Sequence, residues 1–525
     1  MRVMHERARP TPLPTRRPSA LAIAIGCSCA AIATAATAEA DETPLTFASQ
    51  VNFFFPEQYF PTMFRARDID GDGRVDLAVA GRDTEDRLFI LKGGVGATFT
   101  VMQTLVAEGF TDWLEFADID ADGLADLVTA WRGDVPRLVF HRGLGDGTFA
   151  PAETLVGIEP SATSAPGMGR DPQGIAVGDF DGDGDVDVAV SQYAGFCVDV
   201  FTNNGRIDGA QRFERTSRVR LGTFLGGLSL PRMVVAGDVD GDGDLDLVAN
   251  QLGGGRWALL RNEGGRFVRA IEHRVPLVDG NRPAITSIQL VDLDGDGDLD
   301  VALPALLNVG EQKVVAFMND GTGRFVERVV AVGAPLGYAF SIICADLDRD
   351  GDMDAVTGQA LPGGVAVMRR VNAAGFELEV DFAPSSGQLT RHLDAIDVDG
   401  DCDLDLIGID GIGRSLFVRR NTTPQQTGCD GVAGGPPRAS DANGASNARP
   451  AKGAAVPVYV DATETTSDEP ARLAPVVADF NDDGVADSCD IAIWLLSLAR
   501  PPRGDAHVST PAPAIPAARA QESTR

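Results

Sequence analysis

The sequence has little of what an active site or a nucleic-acid interface is usually built from. It contains only five histidines in 525 residues, and two of them, His5 and His507, lie near the chain ends. No Ser/His/Asp order, phosphate-binding glycine loop or H-E-x-x-H zinc motif is present. Basic residues are scarce, with 45 Lys and Arg against 76 Asp and Glu, a balance that argues against nucleic acid as a partner.

Long apolar stretches are also missing, except near the start of the chain. Residues 1–40 carry several arginines and then an Ala-rich apolar segment with A-x-A cleavage options after Ala38 or Ala40. The arginines, the apolar segment and the cleavage options predict a signal peptide for bacterial export. The apolar segment is too short for a membrane span. Lipoprotein anchoring at Cys27 is the less favoured alternative. We therefore expect a secreted, extracellular or cell-surface protein without a transmembrane segment.

What the sequence does contain is an acidic nonapeptide, DxDxDxxxD, repeated seven times at intervals of 50 to 61 residues. Carboxylates stand at loop positions 1, 3, 5 and 9, and position 7 offers a backbone carbonyl. The candidate metal ligands are Asp68, Asp70, Asp72, Arg74 and Asp76; Asp118, Asp120, Asp122, Leu124 and Asp126; Asp179, Asp181, Asp183, Asp185 and Asp187; Asp238, Asp240, Asp242, Asp244 and Asp246; Asp292, Asp294, Asp296, Asp298 and Asp300; Asp346, Asp348, Asp350, Asp352 and Asp354; and Asp397, Asp399, Asp401, Asp403 and Asp405.

The spacing of these carboxylates favours calcium. Four carboxylates within nine residues repel one another, and Ca²⁺ accepts the irregular set of oxygens that such a loop presents, whereas Mg²⁺ demands a strict octahedron. A tight turn alone would explain the glycines but not the recurrent Asp at position 9. The loops hold 33 Asp, and seven Ca²⁺ would reduce the formal charge of −31 to −17. We therefore expect about seven calcium sites in the repeats.

Each repeat has the pattern of four short strands without an amphipathic helix, which is typical of a propeller blade. The fourth strand is marked by an aromatic residue, at Phe149, Phe267, Phe325 and Phe376. The last repeat lacks this strand, while residues 44–55 resemble the outer strand of the second repeat. The prediction is an all-β fold, a seven-bladed β-propeller of four-stranded blades that is closed by the N-terminal strand, over residues 42–425.

These repeats resemble the FG-GAP, or VCBS, family, which includes the integrin alpha head and many secreted bacterial propellers. The resemblance rests on the order of apolar strand, DxDGDGxxD loop, Leu-rich strand and G-D-G-T-F turn. It implies that each acidic loop joins the first and second strands of a blade and binds Ca²⁺. Two copies depart from the pattern, with Ala121 and Cys402 at glycine positions. We expect Cys402 to pair with Cys429, which would tie the end of the repeats to the last blade.

The C-terminal part predicts a second, small module. Residues 426–474 are rich in Gly, Pro, Ala and Ser and predict a flexible linker, and residues 501–525 predict a disordered tail. Residues 475–500 predict a calcium loop and short helix with EF-hand spacing, which resembles half of a dockerin. Two functions of this module remain possible. It could dock onto a cohesin-like partner, or it could be a C-terminal segment that calcium stabilises and that binds no partner. The ligands at positions 1, 3, 5, 7, 9 and 12 are Asp479, Asn481, Asp483, Val485, Asp487 and Asp490.

The propeller face opposite the acidic loops is where we expect a ligand. The ligand-face candidates are Trp113, Trp131, Arg232, Arg391 and His392, because aromatic and polar side chains suit a sugar or peptide surface. The leading hypothesis is a binding or adhesion module for an extracellular glycan or protein. The alternative is a polysaccharide-active enzyme, such as a lyase that uses calcium with Arg and His in the central funnel. The sequence favours the non-enzymatic function.

Overall fold

The structure is a computed structural model. It describes residues 44–424 with the exception of 84, 107–108, 133–135, 159–171, 208–209, 222–229, 253–254, 276–282, 307–312, 333–338, 360–363, 373–374 and 383–388. The predicted signal peptide, linker, loop-helix module and tail lie outside the described residues. The described part of the chain contains no helix that is long and apolar enough to cross a membrane.

The fold is an all-β propeller of seven antiparallel sheets, as the sequence predicts. Each blade runs from its innermost strand outward in chain order. Blade 1 contains β2 (Phe60–Arg67), β3 (Asp76–Arg82), β4 (Arg87–Gly94) and β5 (Thr98–Val106); blade 2 contains β6 (Phe110–Ala117), β7 (Asp126–Arg132), β8 (Arg137–His141) and β9 (Glu153–Gly157). Blade 3 contains β10 (Pro172–Gly178), β11 (Asp187–Gln192), β12 (Cys197–Ile207) and β13 (Ala210–Arg220); blade 4 contains β14 (Pro231–Gly237), β15 (Asp246–Gln251), β16 (Arg256–Asn262) and β17 (Phe267–Arg274).

The remaining three blades follow the same plan with two variations, a split inner strand in blade 5 and an N-terminal outer strand in blade 7. Blade 5 contains β18 (Ala284–Ile285) and β19 (Gln289–Val291), then β20 (Asp300–Leu306), β21 (Lys313–Asn319) and β22 (Phe325–Val332). Blade 6 contains β23 (Ala339–Ala345), β24 (Asp354–Gln359), β25 (Gly364–Asn372) and β26 (Gly375–Phe382). Blade 7 contains β27 (Thr390–Ile396), β28 (Asp405–Asp410), β29 (Ser415–Arg419) and β1 (Val51–Phe54).

The second strand of every blade begins at the position-9 Asp of its acidic loop. These strands are apolar on both faces, as in DVAVSQ of β11 and DLIGID of β28, and all six of their residues are buried. Continuous short apolar runs of this kind are typical of strands that are covered on both sides. The core accordingly lies between the faces of neighbouring blades.

The N-terminal strand closes the ring, as predicted. β1 pairs antiparallel with β29, from Val51 opposite Val418 to Phe54 opposite Ser415. The chain then packs against blade 1, where the ring of Phe55 lies 5.1 Å from that of Tyr59 and 5.6 Å from that of Phe89. The N-terminal segment therefore completes blade 7 and also contributes to the core between blades 7 and 1.

Side chains join blade 5 to blade 6 where the inner strand of blade 5 is interrupted. The break lies between β18 and β19, and Gln289 just beyond it accepts the backbone N–H of Cys344 at 2.7 Å. Its amide also donates to the carbonyl of Cys344 at 3.3 Å.

Cys344 and Cys197 are buried free thiols. Cys402 is disulfide-bonded, and because its partner lies outside the described residues, the pairing with Cys429 stays a prediction.

Candidate metal centres

The first Asp of the acidic loop organises the turn through its own side chain. In blade 1, Asp68 Oδ1 accepts the N–H of Gly71 at 2.7 Å and Oδ2 accepts the N–H of Gly73 at 2.9 Å. The Asp residues at positions 3 and 5 each form one such hydrogen bond. Asp70 accepts the N–H of Asp72, and Asp72 accepts the N–H of Arg74. These hydrogen bonds turn the carboxylates of the loop toward one side.

The turn requires left-handed backbone at positions 4 and 6, which explains the recurrent glycines. Gly71 and Gly73 have φ of 74° and 84°. Three residues other than glycine adopt the same conformation: Ala121 at φ 57°, Arg349 at 61° and Cys402 at 77°. The two departures noted in the sequence, Ala121 and Cys402, therefore keep the geometry of the loop. Arg349 is a third departure.

The position-9 Asp is a buried bracket between the loop and the third strand of the blade. In all seven blades one of its oxygens accepts an N–H from the third strand or, in blades 2 and 7, from a residue just after that strand. In six blades the other oxygen accepts the N–H of position 2. The recurrence of this Asp thus has a structural cause that does not depend on a metal ion. The third-strand pairs, at 2.7 to 3.0 Å, are Asp76 with Gly93, Asp126 with Gly143, Asp187 with Asn203, Asp246 with Asn262, Asp300 with Asn319, Asp354 with Arg370 and Asp405 with Asn421.

Burial acts strongly on these bracket carboxyls. It raises the pKa to about 7 for Asp126, Asp187, Asp246, Asp300, Asp354 and Asp405, and it also raises the pKa of Asp76. The backbone N–H groups oppose this rise, and the carboxylates of the same loop increase it. A divalent cation in the loop would stabilise the ionised form.

The carboxylates of the loops converge as a cation site requires, and in blades 1 and 3 the position-9 Asp belongs to the group. Ligand oxygens lie within 4.8 Å of one another in the groups Asp68, Asp70 and Asp76; Asp118, Asp120 and Asp122; Asp179, Asp181 and Asp187; Asp238, Asp240 and Asp242; and Asp292, Asp294 and Asp296, and in two further groups. Burial and neighbouring carboxylates raise the pKa of Asp120 and Asp401. In addition, Asp120 Oδ1 and Asp399 Oδ1 are buried without a hydrogen-bond partner, which costs free energy unless a cation satisfies them. Hard oxygen donors in this arrangement fit Ca²⁺.

Two of the five ligand-face candidates, Trp113 and His392, meet in a buried cluster on the innermost strands of blades 7, 1 and 2. Arg65 forms a two-point ion pair with Glu115 at 2.8 and 2.6 Å, and its guanidinium lies 5.5 Å from the Trp113 ring. His392 Nε2 lies 3.4 Å from Arg65 Nη1. Burial, followed by Arg65, lowers the pKa of His392. This cluster joins three blades, and Arg65 and Glu115 at its centre are residues that the sequence analysis did not single out.

The other three candidates are buried as well. Arg391 and Arg232 are 3% and 7% exposed, and Trp131 is 3% exposed under the guanidinium of Arg137, at 4.8 Å. These positions lie within strands or at strand ends, so their side chains pack into the blades. The prediction that they form a ligand face stays a prediction.

A different polar cluster lies at the strand ends opposite the acidic loops in blades 1 and 2. Asp112, near the start of β6, accepts hydrogen bonds from the guanidinium groups of two neighbours, Arg82 at 2.7 Å and Arg132. Burial alone would raise the pKa of Asp112, but the two Arg hold it well below its usual range. The arginines are 18% and 22% exposed, so this cluster reaches solvent.

Residues 68–129, 118–190 and 238–303 match the family described as FG-GAP-like repeat, so the chain carries FG-GAP-like repeats. No curated protein matches the chain. Among solved structures, BBS1N in complex with ARL6DN, soaked with lead, is 13% identical with a TM-score of 0.48, covering 74% of this chain and 100% of that one. A putative 6-phosphogluconolactonase from Bacteroides uniformis ATCC 8492 is 13% identical with a TM-score of 0.42, covering 62% and 82%. Another from Bacteroides fragilis NCTC 9343 is 12% identical with a TM-score of 0.41, covering 62% and 94%.

Proposed function

We propose that this FG-GAP-like propeller is an exported, calcium-loaded module that binds an extracellular glycan or protein at the cell surface or on polysaccharide. The observation that carries the proposal is the convergence of loop carboxylates, with oxygens within 4.8 Å and the buried Oδ1 of Asp120 left without a hydrogen bond. Calcium would neutralise each loop and fasten the first strand of a blade to the second. Outside the cytosol, even sites with dissociation constants near ~10⁻⁴ to 10⁻³ M would be filled.

In this proposal, the metal ions and the ligand bind on opposite faces of the propeller. Positions 1, 3 and 5 of each loop would hold the ion, joined by position 9 in blades 1 and 3, and the position-9 bracket also fixes the loop on its blade. The ligand would contact the opposite face, where Asp112 holds the guanidinium groups of the partly exposed Arg82 and Arg132. Guanidinium groups held in a fixed plane suit the carboxylates and hydroxyls of an acidic sugar or peptide. The C-terminal loop with Asp479 and Asp490 would add one further calcium site and a docking function.

A lyase is the second candidate, but the geometry gives it less support. Such an enzyme needs an Arg or His that is open to the substrate beside a calcium ion. His392 is fully buried and contacts Arg65 and the ring of Phe64, and Arg391 is 3% exposed. Both lie on β27 before the acidic loop, packed among the inner strands. We therefore favour the binding function over catalysis.

The test uses the full exported chain, loaded with calcium, on arrays of glycans and on uronic-acid polymers. We expect retention on at least one acidic glycan without cleavage. Arg132→Ala should weaken that binding by about tenfold or more, since each factor of ten corresponds to ~1.4 kcal/mol. Arg212→Ala, on the exposed side of the outer strand β13, is the matched control and should bind as the wild type does. Cleavage of a polymer that EDTA abolishes and calcium restores would replace the binding function with the lyase.

A further inference from the structure

One residue at equivalent places in the seven blades, near the end of the third strand or directly after it, is a neighbour of the acidic loop. It directly precedes the residue whose N–H binds the position-9 Asp. This third-strand neighbour is basic in five blades and uncharged in blades 3 and 5. In blade order, the neighbours are Lys92, Arg142, Thr202, Arg261, Met318, Arg369 and Arg420.

In the five blades with a basic neighbour, its cation contacts the position-3 carboxylate of the same blade. Lys92 contacts Asp70, and it lies 3.1 Å from Asp72. The other four distances are 2.6 Å for Arg142 to Asp120, 3.0 Å for Arg261 to Asp240, 2.9 Å for Arg369 to Asp348 and 3.0 Å for Arg420 to Asp399. The cation takes one oxygen, Oδ2, and in blades 2, 4 and 7 the other oxygen is the buried Oδ1 without a hydrogen bond.

Blades 3 and 5 differ in this respect. Their position-3 residues, Asp181 and Asp294, are exposed. Thr202 and Met318 carry no charge, so neither offers a cation to the position-3 carboxylate of its own blade. Arg328 and Arg370 act electrostatically on Asp294 in blade 5, so the loop of blade 3 is the less compensated of the two.

Blades 3 and 4 form a natural matched pair. Their loops, DFDGDGDVD and DVDGDGDLD, each contain five Asp and differ only at two apolar positions. Asn203 and Asn262 lie at equivalent positions of the two blades. Their Nδ2 groups donate to Ile119 O at 3.0 Å and to Phe180 O at 2.7 Å, respectively. At the third-strand neighbour, the two blades differ in charge, with Thr202 in blade 3 and Arg261 in blade 4.

We infer that the propeller has two classes of calcium site, with tight sites in blades 3 and 5 and weaker sites in the five blades that carry a basic third-strand neighbour. This inference rests on the proposed calcium function of the loops. Ca²⁺ affinity rises with the net negative charge of the ligands. A Lys or Arg cation about 3 Å from a ligand oxygen cancels part of that charge and repels the incoming divalent ion. The basic neighbour also keeps its blade partly neutralised when calcium is low.

Calcium titration of the full chain by isothermal calorimetry tests the inference. We expect two tight sites in the repeats, and Thr202→Arg should remove one by weakening it at least about tenfold, or ~1.4 kcal/mol. Thr202→Val has nearly the same size without the charge and should keep both. Arg261→Thr should create a third tight site. All variants carry Asp479→Ala and Asp483→Ala so that the C-terminal loop does not contribute, and their circular dichroism in saturating calcium verifies folding.

The outcomes separate this inference from the calcium function itself. Loss of one tight site in Thr202→Arg, gain of one in Arg261→Thr and no change in Thr202→Val support it. Seven equivalent sites in the wild type, or titrations that the charge swaps leave unchanged, would overturn it while calcium binding stands. A wild-type chain that takes up no calcium would refute the calcium function and the inference together.

Discussion

Asn319 of blade 5 donates its Nδ2–H to the carbonyl of Val239, in the acidic loop of blade 4, at 2.7 Å. The same amide donates to Leu299 O of its own loop at 3.1 Å. Equivalent bonds from Asn203 and Asn262 reach Ile119 O and Phe180 O of the preceding blades, and Asn421 reaches Leu347 O. The acidic loop is therefore a joint between neighbouring blades as well as a candidate metal site.

Replacing Asn319 by Ala should destabilise the propeller by about 1 to 3 kcal/mol, because two buried carbonyls lose their donor. The measurement is the shift of the urea unfolding midpoint in saturating calcium. Asn204→Ala removes an exposed amide of the same type in blade 3 and should change the midpoint little. Equal effects of the two substitutions would show that the inter-blade bond has no energetic role.

The position-9 bracket predicts a large effect of a small substitution. Asp187 accepts the N–H of Phe180 at 2.9 Å and of Asn203 at 2.8 Å, so Asp187→Ala leaves two buried donors without a partner. We expect a loss of about 3 kcal/mol or more in unfolding free energy. Asp185→Ala, two residues earlier, removes a carboxylate without such bonds and should cost less than half as much. Similar losses for both variants would contradict the bracket role.

The closure of the ring can be tested with two adjacent phenylalanines. Phe55 is 7% exposed and packs against Tyr59 and Phe89, whereas Phe54 is 68% exposed. Phe55→Ala should lower the unfolding free energy by about 3 to 5 kcal/mol, as expected for a core Phe. Phe54→Ala should lower it by less than about 0.5 kcal/mol. A comparable response of both variants in urea unfolding would argue against the N-terminal segment as part of the core.

Asp394 predicts a dependence of stability on pH. Burial raises its pKa to about 7, while Arg65 opposes the rise, and the unfolded value is about 3.9. The folded state keeps a proton that the unfolded chain releases between about pH 4 and 7, so stability from this group falls as pH rises through that window. Asp394→Asn should flatten the profile and gain up to about 4 kcal/mol relative to wild type at pH 8.

The matched control for this pH experiment is Asp146→Asn, an exposed carboxyl whose hydrogen bonds with Thr148 lower its pKa. Unfolding midpoints measured from pH 4 to 8 in constant calcium should show the same fall for the control as for wild type. If Asp394→Asn retains the wild-type slope, Asp394 is already ionised in the folded protein at neutral pH.

The repeat spacing was sufficient to predict the number of blades and the N-terminal closure. Each DxDxDxxxD unit ends where a second strand begins, and only seven units with a displaced outer strand can complete the ring. The break in the inner strand of blade 5 could not be predicted in this way. Gln289 and Ser287, at this break, accept hydrogen bonds from the next blade, a tertiary contact that strand periodicity does not encode.

The site was less predictable than the fold. Polar and aromatic side chains such as Trp113 and His392 suggested solvent-facing loops, yet they lie on innermost strands that are covered by neighbouring blades. The inter-blade asparagines did leave a signal in the sequence. They follow the position-9 Asp by 16 residues in blades 3, 4 and 7 and by 19 in blade 5. The basic neighbours directly precede the residue whose N–H binds the position-9 Asp. This pattern is visible only once the third strands of the blades are aligned.

Thermal unfolding of the full chain at neutral pH, in calcium and in excess EDTA, tests most directly whether calcium holds the seven loops together. Calcium removal leaves four or five carboxylates in each loop to repel one another, so we predict a marked fall in Tm in EDTA. Added Ca²⁺ should restore the original Tm, whereas the same concentration of Mg²⁺ should not. Superimposable melting curves in calcium and in EDTA would contradict the account.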